Sequence, residues 1–202
     1  MKNDKELLDF YLELRGPEAQ PWNLSPESLY LEYVTRDYIK KHLKIFEGIQ
    51  VCNVGIGVGE WDDYLGYLLV GKGELTSIDI DSEICGMFQY RQMREAHPNA
   101  SKVLCMDILN STIPSEQFDV VTIIGSTVRE TGEYKKTLRA CIDLVRTGGH
   151  LIYMDFLKNH SEEKFIDFIK ETELILEDIT IFDSHPSVSC FLSKTKKVME
   201  AR

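Results

Sequence analysis

Several things are missing from this 202-residue chain, and each absence narrows the field. No apolar run approaches the ~20 residues a bilayer span requires, so no membrane segment is expected. The opening MKNDKELLDF is charged and has no apolar h-region, which predicts no secretory leader. The cysteines (Cys52, Cys85, Cys105, Cys141, Cys190) form no C-x-x-C pair. An odd, scattered set fits reduced thiols in a cytoplasmic protein rather than a zinc site or a disulfide frame. No histidine cluster has the spacing of metal ligands. Positive charge is scarce too: 23 Lys and Arg against 33 Asp and Glu leave a net charge of -10. A surface that acidic repels phosphate backbones and disfavours nucleic acid as a partner. The basic KTKKV near the C-terminus is short and reads as a solvated tail.

What is present is globular: 43% hydrophobic and 28% charged residues, enough chain for one sizeable core. Leu7, Leu8, Tyr11 and Leu14 have helical spacing, with Gly16-Pro17 as the stop. Ser25 is placed to cap a second helix with Pro26 at its first position; Leu31, Val34 and Tyr38 form its stripe. After Gly48 the texture changes. Short apolar runs (IQVCNVG, ELTSIDI, SKVLCMDI, FDVVTIIGS, HLIYMDF, ILEDITIFD, VSCFLSK) alternate, until the last two, with helical segments. GEYKKTLRACIDLV is one of those helices, closed by the turn Arg146-Thr147-Gly148-Gly149. Such alternation predicts an α/β, Rossmann-like, doubly wound, mostly parallel sheet of seven strands. SHPS joins the final two strands tightly, so the last strand is expected to be antiparallel. Residues 1–47 are expected as a helical cap over the active-site edge, and 48–202 as the ligand-binding domain.

The stretch NVGIGVGEWDDYL, residues 53–65, carries the chemistry. A dinucleotide fingerprint reads G-x-G-x-x-G; here Gly55, Gly57 and Gly59 alternate and Glu60 stands where the third fingerprint glycine belongs. Glu60, Asp62 and Asp63 occupy the first helical turn. They satisfy the helix dipole themselves and are expected to repel a pyrophosphate. That disfavours a nicotinamide-dependent oxidoreductase. It favours a ligand with positive charge and no phosphate, such as S-adenosylmethionine, whose ammonium and sulfonium suit carboxylates and carbonyls. Asp79 ends the second strand, beside Ile80, where an acid can accept both ribose hydroxyls. Asp107 ends the third, where a carboxylate can accept from the adenine amino group.

In order, VCNVGIGVGEW, LTSIDID, VLCMDIL, FDVVTII and GGHLIYMD resemble the class I S-adenosylmethionine-dependent methyltransferases, from about Ile49 to Lys194. The resemblance implies that the glycine motif holds the cofactor, that Asp79 is the ribose acid and that Asp107-Ile108 is the adenine-binding pair. It also implies that Asn53 stands where the family has an acid serving the methionine ammonium, with Glu60 as the compensating charge. Gly125, Ser126, Thr127 and Arg129 then face the methyl group. The (Asp/Asn)-Pro-Pro-(Tyr/Phe) motif of amine and amide methylators is absent there, as are the acids of the metal-dependent catechol type. The expectation is metal-independent O- or N-methylation of a small molecule, with Trp22, Tyr30, Tyr33, Ser126 and Arg129 contacting it and Tyr38 packing the core. Glu130, Asp155, His160 and His185 are candidate bases, none assigned. Two other readings share the cofactor: binding without catalysis, and transfer of the aminocarboxypropyl group.

Overall fold

Period-two burial builds the sheet. In β1 (Ile49–Val54) and β4 (Phe118–Ile124), Ile49, Val51 and Val120 face one layer while Cys52, Val54, Val121 and Ile123 face the other. Each fully buried aliphatic side chain contributes about 1.5–3 kcal/mol, so a one-residue slip would expose a whole face. The other strands are β2 (Gly73–Asp79), β3 (Lys102–Cys105), β5 (Val145–Phe156), β6 (Leu174–Phe182) and β7 (Cys190–Lys197). The computed structural model describes residues 2–13 and 25–199 and joins the strands in the order β3-β2-β1-β4-β5-β7-β6. β1 to β5 pair in parallel, and β7 runs antiparallel between β5 and β6. The expected seven-stranded, mostly parallel sheet with an antiparallel last strand is therefore the observed one.

Helices α1 (Asp4–Glu13), α2 (Pro26–His42), α3 (Glu60–Leu68), α4 (Ser82–Arg94), α5 (Thr127–Thr131), α6 (Tyr134–Leu144) and α7 (Glu162–Ile169) complete the layers. Ser25 caps α2, its hydroxyl accepting from the Ser28 N–H at 3.0 Å, and Pro26 opens the helix. Leu31, Val34, Tyr38 and Ile39 pack with Ile49, Val51 and Leu65, and the Tyr38 hydroxyl donates to Asp178 on β6 at 2.8 Å. α2 is thus a member of one face layer. Its N-terminal turns also reach the C-terminal ends of the strands, where Leu31, Glu32 and Thr35 meet Ile56, Gly125 and Phe156. On the other face Leu138, Ile142, Phe165 and Phe168 pack onto the sheet. α1 lies against α4, where Asp4 accepts from Arg94 at 3.0 Å. The expected stop of α1 at Gly16-Pro17 lies outside the described residues.

Three local expectations change. Arg146 to Gly149, read as a turn, are the first part of β5. The register of β5 on β4 shifts there, and a Cβ on Gly149 would stand 2.7 Å from the Asp119 carbonyl, so only glycine permits the close approach. The stretch after β4, to which no helix was assigned, contains the short helix α5. The link between β6 and β7 runs over 183–189, longer than a tight turn. No helix among the described residues is long and apolar enough to cross a membrane.

Candidate functional site

Right-handed crossovers bring the C-terminal ends of the parallel strands to one edge, and a crevice of about 890 Å³ runs along it. Gly55, Gly57, Asp79, Ile80, Asp107, Ile108, Gly125, Ser126 and Arg129, each expected from the sequence, all line it. Trp61, Thr127, Phe156 and Lys158 line it as well and were not singled out as contacts by spacing or motif, although Thr127 was expected to face the methyl group.

The glycine turn is held from below and beside. Gly57 has φ +54 and an added Cβ would meet nothing within 4 Å, so its bare backbone faces open crevice. Asp79 braces the turn: one carboxylate oxygen accepts from the N–H of Ile56 at 2.8 Å and of Gly57 at 3.3 Å, and the other from Asp81 at 3.0 Å. Asp107 accepts from the Leu109 N–H at 2.9 Å and from the Asn110 amide at 2.7 Å. Both acids therefore organise their own loops while lining the crevice. We predict that Asp79→Ala lowers affinity for S-adenosylhomocysteine by about 10- to 100-fold, and also costs about 1–3 kcal/mol of stability in the free protein through the unpaired N–H groups. Calorimetry and urea unfolding check both halves; unchanged affinity would make Asp79 a purely structural brace.

The acidic rim differs from its expectation. Asp62 is 1% exposed and points into the protein, and Asp63 pairs with Arg91 of α4. Of the three, only Glu60 remains exposed. Asn53 likewise does not line the crevice: it is fully buried, between Ser77 of β2 and Thr122 of β4 in the sheet register. Its amide nitrogen donates to Asp62 and to the Gly55 carbonyl, each at 2.9 Å, and its oxygen accepts from Thr122 at 2.8 Å. Ser77 donates to the other Asp62 oxygen, and the Trp61 indole donates to Thr122 at 3.3 Å. A buried, hydrogen-bonded row thus lies directly under the glycine turn. Burial pushes the Asp62 carboxyl up to about 7, while Ser77 and Asn53 pull it down.

Glu60 sits in a recess under α2 with Glu32, Trp61, Gly125 and Phe156. Burial, then the Glu60 charge beside it, holds Glu32 above its ordinary pKa. Sequence reading placed this helix over the edge but chose its aromatics, Tyr30 and Tyr33, and passed over Glu32. Tyr33 is 67% exposed and outside the crevice lining, and Tyr30 lies against His185, ring centroids 5.4 Å apart. Trp22 lies outside the described residues. Of the candidate bases, Glu130 lines the crevice and accepts from Ser126. Asp155 is fully buried and meets His160 Nδ1 at 2.7 Å.

The donor set fits S-adenosylmethionine. Asp79 offers acceptors for a ribose diol, Asp107 one for an adenine amino group, and open Gly57 and the Glu32–Glu60 recess suit a cationic amino acid end. The profile of a methyltransferase domain matches residues 51–149. No curated protein matches the chain by sequence. Among solved structures, a SAM dependent methyltransferase from Aquifex aeolicus is 18% identical with a TM-score of 0.71, covering 86% of this chain and 94% of that one. The CurJ carbon methyltransferase is 13% identical at TM-score 0.71, covering 96% and 59% respectively. An rRNA methylase from Streptococcus thermophilus is 11% identical at TM-score 0.59, covering 84% and 97%. The domain match over residues 51–149, the fold and the crevice together place this chain among the class I S-adenosylmethionine-dependent methyltransferases, with S-adenosylmethionine as its cofactor.

Proposed function

We propose that the enzyme methylates an oxygen or nitrogen atom of a small-molecule acceptor, without a metal, in the cytoplasm. The observation that carries this reading is the crevice itself. Its volume of about 890 Å³ falls within the range typical of small-ligand sites. Its far side, past Gly125, is walled by Trp61, Phe156 and α5. We read residues 1–47 as the helical cap over the active-site edge, supported on this side by Leu31, Glu32 and Thr35 at the recess. The net charge of -10 argues against a nucleic-acid acceptor. When bound, the cofactor supplies a methyl group on a sulfonium, already an excellent leaving group. The protein's task is to hold the acceptor in line and exclude water. Glu130, at the crevice wall, is a candidate acceptor for the proton of a hydroxyl or ammonium. Among the described residues no three His, Cys, Asp or Glu side chains converge as metal donors. All five cysteines are free thiols, which supports a reducing compartment.

The test is transfer of labelled methyl from S-adenosylmethionine into a nuclease-treated metabolite extract and, separately, into total RNA, each with and without EDTA. Label in the small-molecule fraction, insensitive to EDTA, is expected. Label confined to RNA, or lost with EDTA, overturns the corresponding part of the proposal.

A further inference from the structure

Beside the acceptor end of the crevice lies a second cavity of about 310 Å³, lined by Val128, Arg129, Gly132, Tyr134, Lys158, Asn159 and His160. Arg129 and Lys158 line both spaces, so the cavity adjoins the crevice across these two side chains. We propose that it is a subsite for an oxyanion, a carboxylate or phosphate monoester group carried by the methyl acceptor. This rests on the small-molecule reading above and specifies its substrate class.

Two observations carry it. The first is charge. In a chain with ten more acids than bases, the lining holds Arg129, Lys158 and His160 and no acid. Neither Arg129 nor Lys158 has an ion pair among the described residues; the Lys158 ammonium lies 5.3 Å from the centre of the Phe156 ring. The nearby acids are engaged elsewhere. Glu130 takes a hydrogen bond from Ser126, Glu133 pairs with Lys136 at 3.1 Å, and buried Asp155 accepts from Tyr153, Asn159 and the His160 ring.

The second observation is an orphan donor. Tyr134 lines the cavity and is 9% exposed, and its hydroxyl is buried with no hydrogen-bond partner. Leaving such a group unsatisfied is costly unless something visits it. Lys164 places its ammonium 4.2 Å from the centre of the Tyr134 ring, one more cation beside the cavity. A hydroxyl with no acceptor, among basic side chains with no acid, is complementary to an oxyanion. The acceptor's reactive atom then sits on the crevice side of Arg129 and Lys158, near Gly125 and Ser126.

The experiment uses the full chain saturated with S-adenosylhomocysteine and measures binding of benzoate and phenyl phosphate against neutral benzamide and phenol by calorimetry. At least one anion is expected to bind tenfold or more tightly than its neutral analogue, and the two arms tell carboxylate from phosphate. R129A/K158A is expected to weaken that anion at least tenfold while moving S-adenosylhomocysteine affinity less than twofold. Tyr134→Phe should weaken the anion three- to tenfold yet raise the melting temperature of the free protein, since it deletes an unsatisfied buried group. Equal binding of charged and neutral analogues, failure of both anions to bind, or an R129A/K158A variant that binds them as wild type overturns the subsite. So does a Tyr134→Phe protein that is less stable but binds anions unchanged. Anion binding without methyl transfer to any acceptor would instead sink the small-molecule reading and leave the subsite standing. Transfer to uncharged acceptors, undisturbed in R129A/K158A, would do the reverse.

Discussion

Asn53→Asp is expected to destabilise the protein by about 2–4 kcal/mol at pH 8, with most of the loss recovered near pH 5. Family resemblance alone points the other way, since an acid at this position would be expected to tighten cofactor binding. The structure reverses that expectation. Asn53 donates to Asp62 at 2.9 Å in a fully buried setting, so the substitution would place two carboxylates against each other. Like charges that close do not both ionise; each pKa unit by which one is forced up costs about 1.4 kcal/mol above that pKa. The variant also loses the N–H that holds the Gly55 carbonyl. The sign of the pH effect follows from Asp62, whose carboxyl in the fold is raised from 3.8 to about 7. Between those values the folded protein holds a proton that the unfolded chain has released, so stability falls as pH rises across the window and levels above it. A second acid extends the window upward. Urea unfolding from pH 5 to 8 reads both proteins, with Asp62→Asn expected to flatten the wild-type slope. An Asn53→Asp protein equally stable at both ends, or one that binds S-adenosylhomocysteine more tightly, would refute this account of the row beneath the turn.

Gly55→Ala is expected to be as damaging, by a different route. Gly55 has φ +91, a conformation that costs an L-residue about 1–2 kcal/mol. Its Cβ would also collide with Thr127 Oγ1. Overpacking of this kind adds about 1–3 kcal/mol, so a total of about 2–5 kcal/mol is expected. Forcing Gly55 and Thr127 apart disturbs the glycine turn itself, and S-adenosylhomocysteine affinity should drop more than 30-fold. G55A/T127A removes the collision and leaves the backbone strain. It should regain about half of the stability and little of the affinity. Full recovery of both would show that the backbone conformation of Gly55 is of no consequence.

Much of this was legible in the chain. Each strand was visible as a short apolar run, and the glycine turn, Asp79 and Asp107 follow from the rule that ligands lie at strand C-terminal ends. What was not legible depends on register and strand order. Ser77, Asn53 and Thr122 are far apart in sequence and share a row only because β2, β1 and β4 are neighbours in a fixed register. Asp62 and Glu60 look equivalent as first-turn acids. Yet α3 turns Asp62 toward the sheet and leaves Glu60 exposed, two residues corresponding to about 200° around a helix. The same arithmetic was available for Tyr33, which falls off the Leu31–Val34–Tyr38 stripe and is exposed. Phe156 and Lys158 follow β5, and nothing local marks them as site residues until β5 is placed beside β4.

The place of β7 bears on how the enzyme is made. Asp155 and Phe156 at the end of β5 pair with Phe191 and Cys190, so the wall leading to Lys158 and His160 is seated on the last strand of the sheet. The walls built from β1, β2 and β3 need nothing beyond Cys105 for their own pairing. During synthesis, therefore, the nucleoside half of the pocket has its strands while the ribosome is still translating the middle of the message. The acceptor half waits until Lys197 has cleared the exit tunnel. A nascent chain stalled before β7 would carry a half-built pocket together with an unpaired edge on β5, a species for chaperones rather than for substrate.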